Sequence, residues 1–201
     1  MGWGMRAMLR RLAADDRGVS LVEFAIAFPV LLGMYLGSYV VCDAIGANRK
    51  VSSAARELTD ITSRFVSLNN ADVTSILNAS AQVMSPYSAA NAQIKLSQVQ
   101  VCTATTGKVI WGRGTTNTTA RAVGSVVTLP ANMVHATMIP AAGCLAALDA
   151  SGTFGTGGYL VFGEVQYNYR PPVAYGTFTQ MTLFDKTYMS PRVSNSVPLI
   201  P

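Results

Sequence analysis

Glu23 is the first residue whose surroundings call for chemistry. It is the only charged side chain from Gly18 to Cys42, and the 19 residues from Phe24 to Cys42 carry no charge at all. A carboxylate in the middle of a membrane costs on the order of 2.5 to 3.5 kcal/mol, and less near the interface. Such an acid is therefore paired, functional, or drawn up to the headgroup level along its own stem. Thiols are the second reactive class. Cys102 and Cys144 enclose 41 residues, and in an oxidising compartment they could form a disulfide contributing ~2 to 4 kcal/mol. Two unrelated buried thiols remain the alternative. Cys42 reads as a small packing group at the end of the apolar run. Catalytic chemistry finds little support. His135 is the single histidine, no Cys-x-x-Cys pair accompanies it, and no Gly-x-Ser-x-Gly elbow is present, so no metal site, cofactor or catalytic residue is expected. Gly152, Gly155, Gly157 and Gly158 lack the lysine and the strand-to-helix context of a phosphate loop and read as a turn.

The element that must position Glu23 is a helix. At ~1.5 Å per residue, the uncharged run of 19 residues spans close to the ~30 Å hydrocarbon core of a bilayer. No polar face interrupts it, as the outer side of a soluble core helix would require. Pro29 is tolerated in a membrane helix, where it bends the rod locally. The whole chain of 201 residues is half apolar and only 12% charged, against about 25% in ordinary soluble domains. Much of the net charge of +5 comes from Arg6, Arg10, Arg11 and Arg17, clustered ahead of the apolar run. These arginines, offset by Asp15 and Asp16, favour a cytoplasmic N-terminus; Arg49 and Lys50 on the far side oppose this without reversing it. The other basic residues are scattered without interleaved aromatics, which argues against nucleic acid as a partner. A cleaved secretory signal is the alternative for this segment, but its apolar region would be ~7 to 15 residues long and would end at a small-residue site.

In the sequence Gly-Val-Ser-Leu-Val-Glu-Phe, from Gly18 to Phe24, four residues separate the glycine from the acid, directly after the basic segment. Here the chain resembles type IV prepilin-like proteins. More narrowly, Arg17-Gly18, Val22-Glu23-Phe24-Ala25 and the apolar run with Pro29 resemble the TadE and TadF family of minor pseudopilins of the tight-adherence (Flp) pilus system. The specific match covers residues 10 to 65. The Glu-Phe pair and the long region after the helix fit TadE-like members better than the short major Flp pilins. The resemblance implies a processing site between Gly18 and Val19, cut by a prepilin peptidase, and a pilin-like motif in Glu23 and Phe24. It also implies a single-pass protein of the bacterial inner membrane whose C-terminal domain is periplasmic or in the pilus. Its partners would be the bilayer, the peptidase, other pilins or pseudopilins and the assembly machinery. After a cut at Gly18 the new amine of Val19 would lie about one helical turn, roughly 6 Å, from Glu23.

Beyond the membrane the pattern stays helical. Val51, Ala54, Leu58, Ile61 and Phe65 recur at steps of 3 and 4 and form one apolar stripe. Packing on the protein's own sheet is favoured for it over a seam between subunits. A second helix is expected from Asn70 to Met84, capped by Asn69 or Asn70, with Val73, Ile76, Leu77 and Ser80 on its inner side and Pro86 beyond its end. Alternation predicts a strand over Gly158–Arg170, and β-branched and aromatic residues predict others over Gln93–Thr103, Lys108–Gly112, Val123–Leu129 and Thr177–Phe184.

The expected architecture is therefore α+β and pilin-like, with a long N-terminal helix, membrane-spanning in its first half, packed on an antiparallel sheet. Its parts are a cytoplasmic basic leader (1–18), a transmembrane helix (19–42), an extramembrane helical region (43–85) and an exported, mainly β region (86–201). Fold alone licenses no function. The competing reading is an uncleaved signal-anchored periplasmic binding or enzymatic domain, and the two separate at Gly18 and Glu23.

Overall fold

The computed structural model describes residues 18–141, 143–144, 157–173 and 179–200. Residues 1–17 of the expected leader (1–18), Gly152, Gly155 and the start of the strand expected from Thr177 lie outside these residues. The architecture is α+β. Two helices, α1 (Val19–Ser63) and α2 (Asn70–Gln82), precede an antiparallel sheet of β1 (Ala92–Val101), β2 (Thr106–Gly114), β3 (Val126–Thr128), β4 (Tyr159–Tyr169) and β5 (Met181–Met189). The strand order is β3-β2-β1-β4-β5. The chain divides at Asp43 and Ala44 into two compact units.

The described part of the first unit is Gly18 and the apolar part of α1. Pro29 sits inside the helix and supplies no N–H, so the Ala25 carbonyl loses its in-helix donor while the helix continues. Leu21, Phe24, Ile26, Val30, Leu31, Met34 and Tyr35 are each more than half exposed. A core helix would show the reverse.

The second unit begins with the rest of α1. Ala47, Val51, Ala54, Ala55 and Leu58 are completely buried against the sheet, while Ile61 and Phe65, at the end of the expected stripe, are only partly buried. Small residues make the contact close. At Gly163 of β4 an added Cβ would lie 2.7 Å from Thr59 Cγ2 and 3.1 Å from Leu58 Cδ2, so helix and strand meet where no side chain fits. Polar groups on this face are satisfied internally: the Thr59 hydroxyl donates to the Ala55 and Arg56 carbonyls, and Thr62 to Leu58. The helix stops at Ser63, short of Phe65, because the N–H groups of Arg64 and Phe65 turn back to the Ile61 and Thr62 carbonyls and the Arg192 N–H takes the Ser63 carbonyl at 2.8 Å.

Helix α2 starts at a capping box. Asn69 Oδ1 accepts from the Asp72 N–H at 2.8 Å, and Asp72 Oδ2 accepts from the Asn69 N–H at 3.1 Å. Val73, Ile76, Leu77 and Ser80 are buried as their spacing requires, but the helix ends at Gln82 rather than Met84, where successive turn bonds lead to Pro86.

The sheet is covered on both faces. Toward the helices lie Ile94, Leu96, Trp111, Val161, Val165 and Tyr167; on the other face lie Val99, Val101, Val109, Leu160, Phe162 and Tyr188, packed beneath Leu129, Met133, Met138 and Ile139. The first half of β4 is consequently buried on both sides, and only beyond Val165 does an exposed alternate residue, Asn168, appear. The register of β1 against β2 slips between Gln98 and Val99, a bulge that turns both Ile110 and Trp111 into the helix-side core. Trp111 Nε1 then donates to Gln98 Oε1 at 2.9 Å and to the Val197 carbonyl at 2.8 Å.

β1 and β4 depart from the expected limits by one or two residues at each end, and the other three strands depart in ways that have a local cause. β2 extends beyond Lys108–Gly112 at both ends. β3 is cut to three residues because Gly124 adopts a positive φ of 81° and the Ser125 N–H and hydroxyl both bond the Ala122 carbonyl, making 122–125 a turn. β5 starts only at Met181 and continues past Phe184 to Met189, held by pairing that reaches Val161. The sheet also curls: β3 and β5 end the strand order, yet Tyr188 Oη donates to the Thr128 carbonyl at 2.9 Å.

Residues 192–200 return to the helix exit. The Leu68 N–H bonds the Pro198 carbonyl, the Ile200 N–H bonds the Leu68 carbonyl, and the Arg192 guanidinium pairs with Asp60 at 2.7 Å beside Arg64.

Two outcomes follow for the detergent-solubilised chain. Gly163→Val will force helix and strand apart and lower the denaturant midpoint by the equivalent of about 1 to 3 kcal/mol, with the slope unchanged. Burial first, and the Glu164 charge second, push the Tyr188 phenol up to about 12. Because this folded value exceeds the ordinary value of 10.0, the stabilisation is complete below pH 10 and is lost as pH rises toward 12. Alkaline unfolding of Tyr188→Phe will therefore show a shallower loss of stability over that window than the wild-type chain.

Candidate functional site

The residues singled out by sequence fall in two places. Gly18 directly precedes α1, Val19 is its first residue and Glu23 follows in the next turn. Positions 19 and 23 share one helix face, about 6 Å apart along the axis. Glu23 is exposed, and Phe24, 62% exposed, has its ring 5.5 Å from that of Phe28. A Cβ at Gly18 would meet nothing within 4 Å, and its φ is not positive. Neither crowding nor backbone conformation among the described residues requires a glycine there. Further along, Gly33 and Gly37 are equally open and lie four positions apart, which leaves a flat strip where another helix backbone could approach closely. That strip was not noticed from sequence, although its Gly-x-x-x-Gly spacing is plain.

Cys102 follows β1, and its sulfur is bonded to that of Cys144, with the Cα atoms 4.9 Å apart. The bond fixes the far end of the excursion that covers one sheet face. Cys42 is exposed and unbonded rather than packed. His135 is exposed and precedes a short 3₁₀ turn, Ala136–Met138. Among the described residues, no group of three His, Cys, Asp or Glu side chains could hold a metal ion.

A third cluster was missed. Glu164, the only charged residue of β4, is 7% exposed in its side chain and takes both Nε and Nη2 of Arg121, at 2.6 and 2.7 Å. The hydrogen bond to Glu164 raises the Arg121 pKa above its ordinary value against the opposing effect of burial. The guanidinium lies 5.2 Å from the Phe162 ring centre, and that ring stacks on Tyr188 at 4.3 Å. A single acid inside an otherwise uncharged strand was the available signal. Its partner, 43 positions away in irregular structure, had none.

The apolar part of α1 is long and uncharged enough to cross a membrane, and only 6% of its most apolar window is buried. No curated protein and no solved structure matches the chain. The model of one family, described as TadE-like protein, matches residues 18–59, which run from Gly18 through the apolar helix and most of its packed continuation. Over that segment, roughly a fifth of its length, the chain is similar to TadE-like proteins.

Proposed function

We propose that this chain is a minor pseudopilin, or pilus-assembly component, of a bacterial Tad/Flp type IV pilus system that acts by packing against other subunits and catalyses no reaction. The observation that carries the reading is the combination of a helix apolar on every side, one acid in its first turns, and a TadE-like match over that stretch. The helix anchors the protein in the inner membrane with its N-terminus cytoplasmic. The sheet unit is periplasmic or part of the fibre, a placement supported by the Cys102 to Cys144 bond, since disulfides persist in oxidising compartments.

In this reading a prepilin peptidase hydrolyses the peptide bond between Gly18 and Val19. Water supplies the hydroxyl of the new Gly18 carboxylate and the proton of the new Val19 amine. The open, unstrained Gly18 supports recognition by an outside agent, because nothing in the described fold uses the missing side chain. Glu23 then offers its carboxylate to an N-terminal amine, its own or a neighbour's. In lipid an unpaired charge is costly, so correct pairing selects the register in which helices dock. The strip at Gly33 and Gly37 supports close helix contact in the same plane.

Mass spectrometry of the membrane-extracted protein tests this. In cells holding the peptidase the mature chain will begin at Val19, and Gly18→Leu will leave a slower-migrating form that does not assemble. Glu23→Gln will be processed yet lost from assembled fibres. An intact N-terminus in wild-type cells would sink the processing step and favour the uncleaved signal-anchored domain.

A further inference from the structure

The curl of the sheet leaves a cleft of about 360 Å³ between β3 and β5, lined by Arg121, Glu164, Lys186, Tyr188, Val126 and Phe184 among others. Its charges do not balance. Lys186 on β5 stands directly opposite Glu164 on β4 in the strand register, and Arg121 adds a second cation to that single carboxylate. Glu164 is committed to the Nε and Nη2 side of Arg121, so the Nη1 edge of the guanidinium is turned away from that carboxylate. The Lys186 side chain makes no ion pair among the described residues, and Lys186 is exposed. The floor of the cleft thus holds a fixed guanidinium and a free ammonium with too little negative charge between them.

The rims indicate what kind of molecule carries the missing charge. Val126 is 67% exposed on one side and Phe184 51% exposed on the other, so two apolar side chains flank a polar floor. β5 is the edge of the sheet, paired with β4 and with no other strand among the described residues. An edge strand presents backbone donors and acceptors along its length, which fits an extended peptide. A sugar or a small anion would use the charges but would gain nothing from the apolar rims and the strand edge together.

We infer that this cleft binds an extended acidic peptide segment of a partner protein, with a carboxylate between Lys186 and Arg121, apolar neighbours on Val126 and Phe184, and backbone along β5. The site belongs to the sheet unit alone and does not depend on cleavage at Gly18, so its failure would leave the pilus reading untouched.

The test uses the full chain in detergent micelles at low salt, with a fluorescein-labelled capped peptide of sequence Val-Glu-Val-Asp-Val as probe. Its anisotropy will rise saturably. Lys186→Glu, a surface change that leaves the circular dichroism spectrum intact, will weaken binding about tenfold or more, as reversing a charge that faces a carboxylate should. Phe184→Ala will weaken it severalfold, and the Val-Gln-Val-Asn-Val counterpart will bind at least about tenfold less tightly. The assignment is overturned by an absence of saturable binding, by equal binding of the amide peptide, or by undiminished binding to Lys186→Glu. Acetate that displaces the probe at the probe's own concentration would mark a small-anion site and overturn it as well.

Discussion

A rod whose side chains are apolar in every direction has to be kept out of water, and this requirement shapes the N-terminal part of the molecule. Helices of soluble proteins meet it by turning one stripe inward and leaving the opposite side polar. From Phe24 to Cys42 α1 has no polar side to leave out, and exposed leucine, phenylalanine, isoleucine and valine follow one another around the whole circumference. By length and composition, lipid could cover such a surface. At its start Glu23 is the one group that cannot be left indifferent to its partners. The same helix changes character after Asp43, where alanine and valine at helical spacing become fully buried on a sheet. One continuous hydrogen-bonded element therefore serves two environments, with its side-chain pattern assigning each half.

The sheet unit solves a different problem, that of holding a core with small contacts and long connections. Alanines on α1 and Gly163 on β4 let helix and strand approach until their backbones nearly touch. Leu129, Met133, Met138 and Ile139, from the described part of the connection between β2 and β4, lie over the opposite face, and that connection is fixed at the Arg121 and Glu164 pair and at the Cys102 and Cys144 bond. An ion pair in which the acid is so little exposed adds modest net stability, because desolvation offsets much of its attraction, but it strongly resists separation of the two segments it joins.

Periodicity and the absence of charge were enough to read the elements from sequence. Nineteen uncharged residues marked the apolar helix, steps of 3 and 4 marked the buried stripe from Val51 to Leu58, and the pair Asn69 and Asn70 marked the start of α2, which Asn69 caps. Alternation located β4, since side chains that face opposite sides of a sheet leave a pattern of period two, and β-branched and aromatic residues located the other four described strands. What local pattern could not supply were the features set by distant partners. Nothing near Phe65 announces that Arg192 will take the Ser63 carbonyl and end the helix early. The bulge that turns Ile110 and Trp111 the same way depends on the register against β1, and the curl that brings Tyr188 to Thr128 depends on the whole sheet. Of the candidate site, Gly18, Glu23 and Phe24 were legible because they stand out locally. The Arg121 and Glu164 cluster was not, because its members meet only after folding.

The returning segment near the helix exit has a kinetic meaning. Val197 is fully buried, and its carbonyl receives the indole N–H of Trp111 from 86 positions earlier in the chain. The hydrogen bonds of Leu68 are completed only by Pro198 and Ile200. A chain that emerges from its N-terminal end must hold the helix exit and the indole of β2 unfinished until those late residues arrive. Closure of this part of the core thus waits for residues 197–200, and until they arrive the emerging domain exposes apolar surface that its environment must shield.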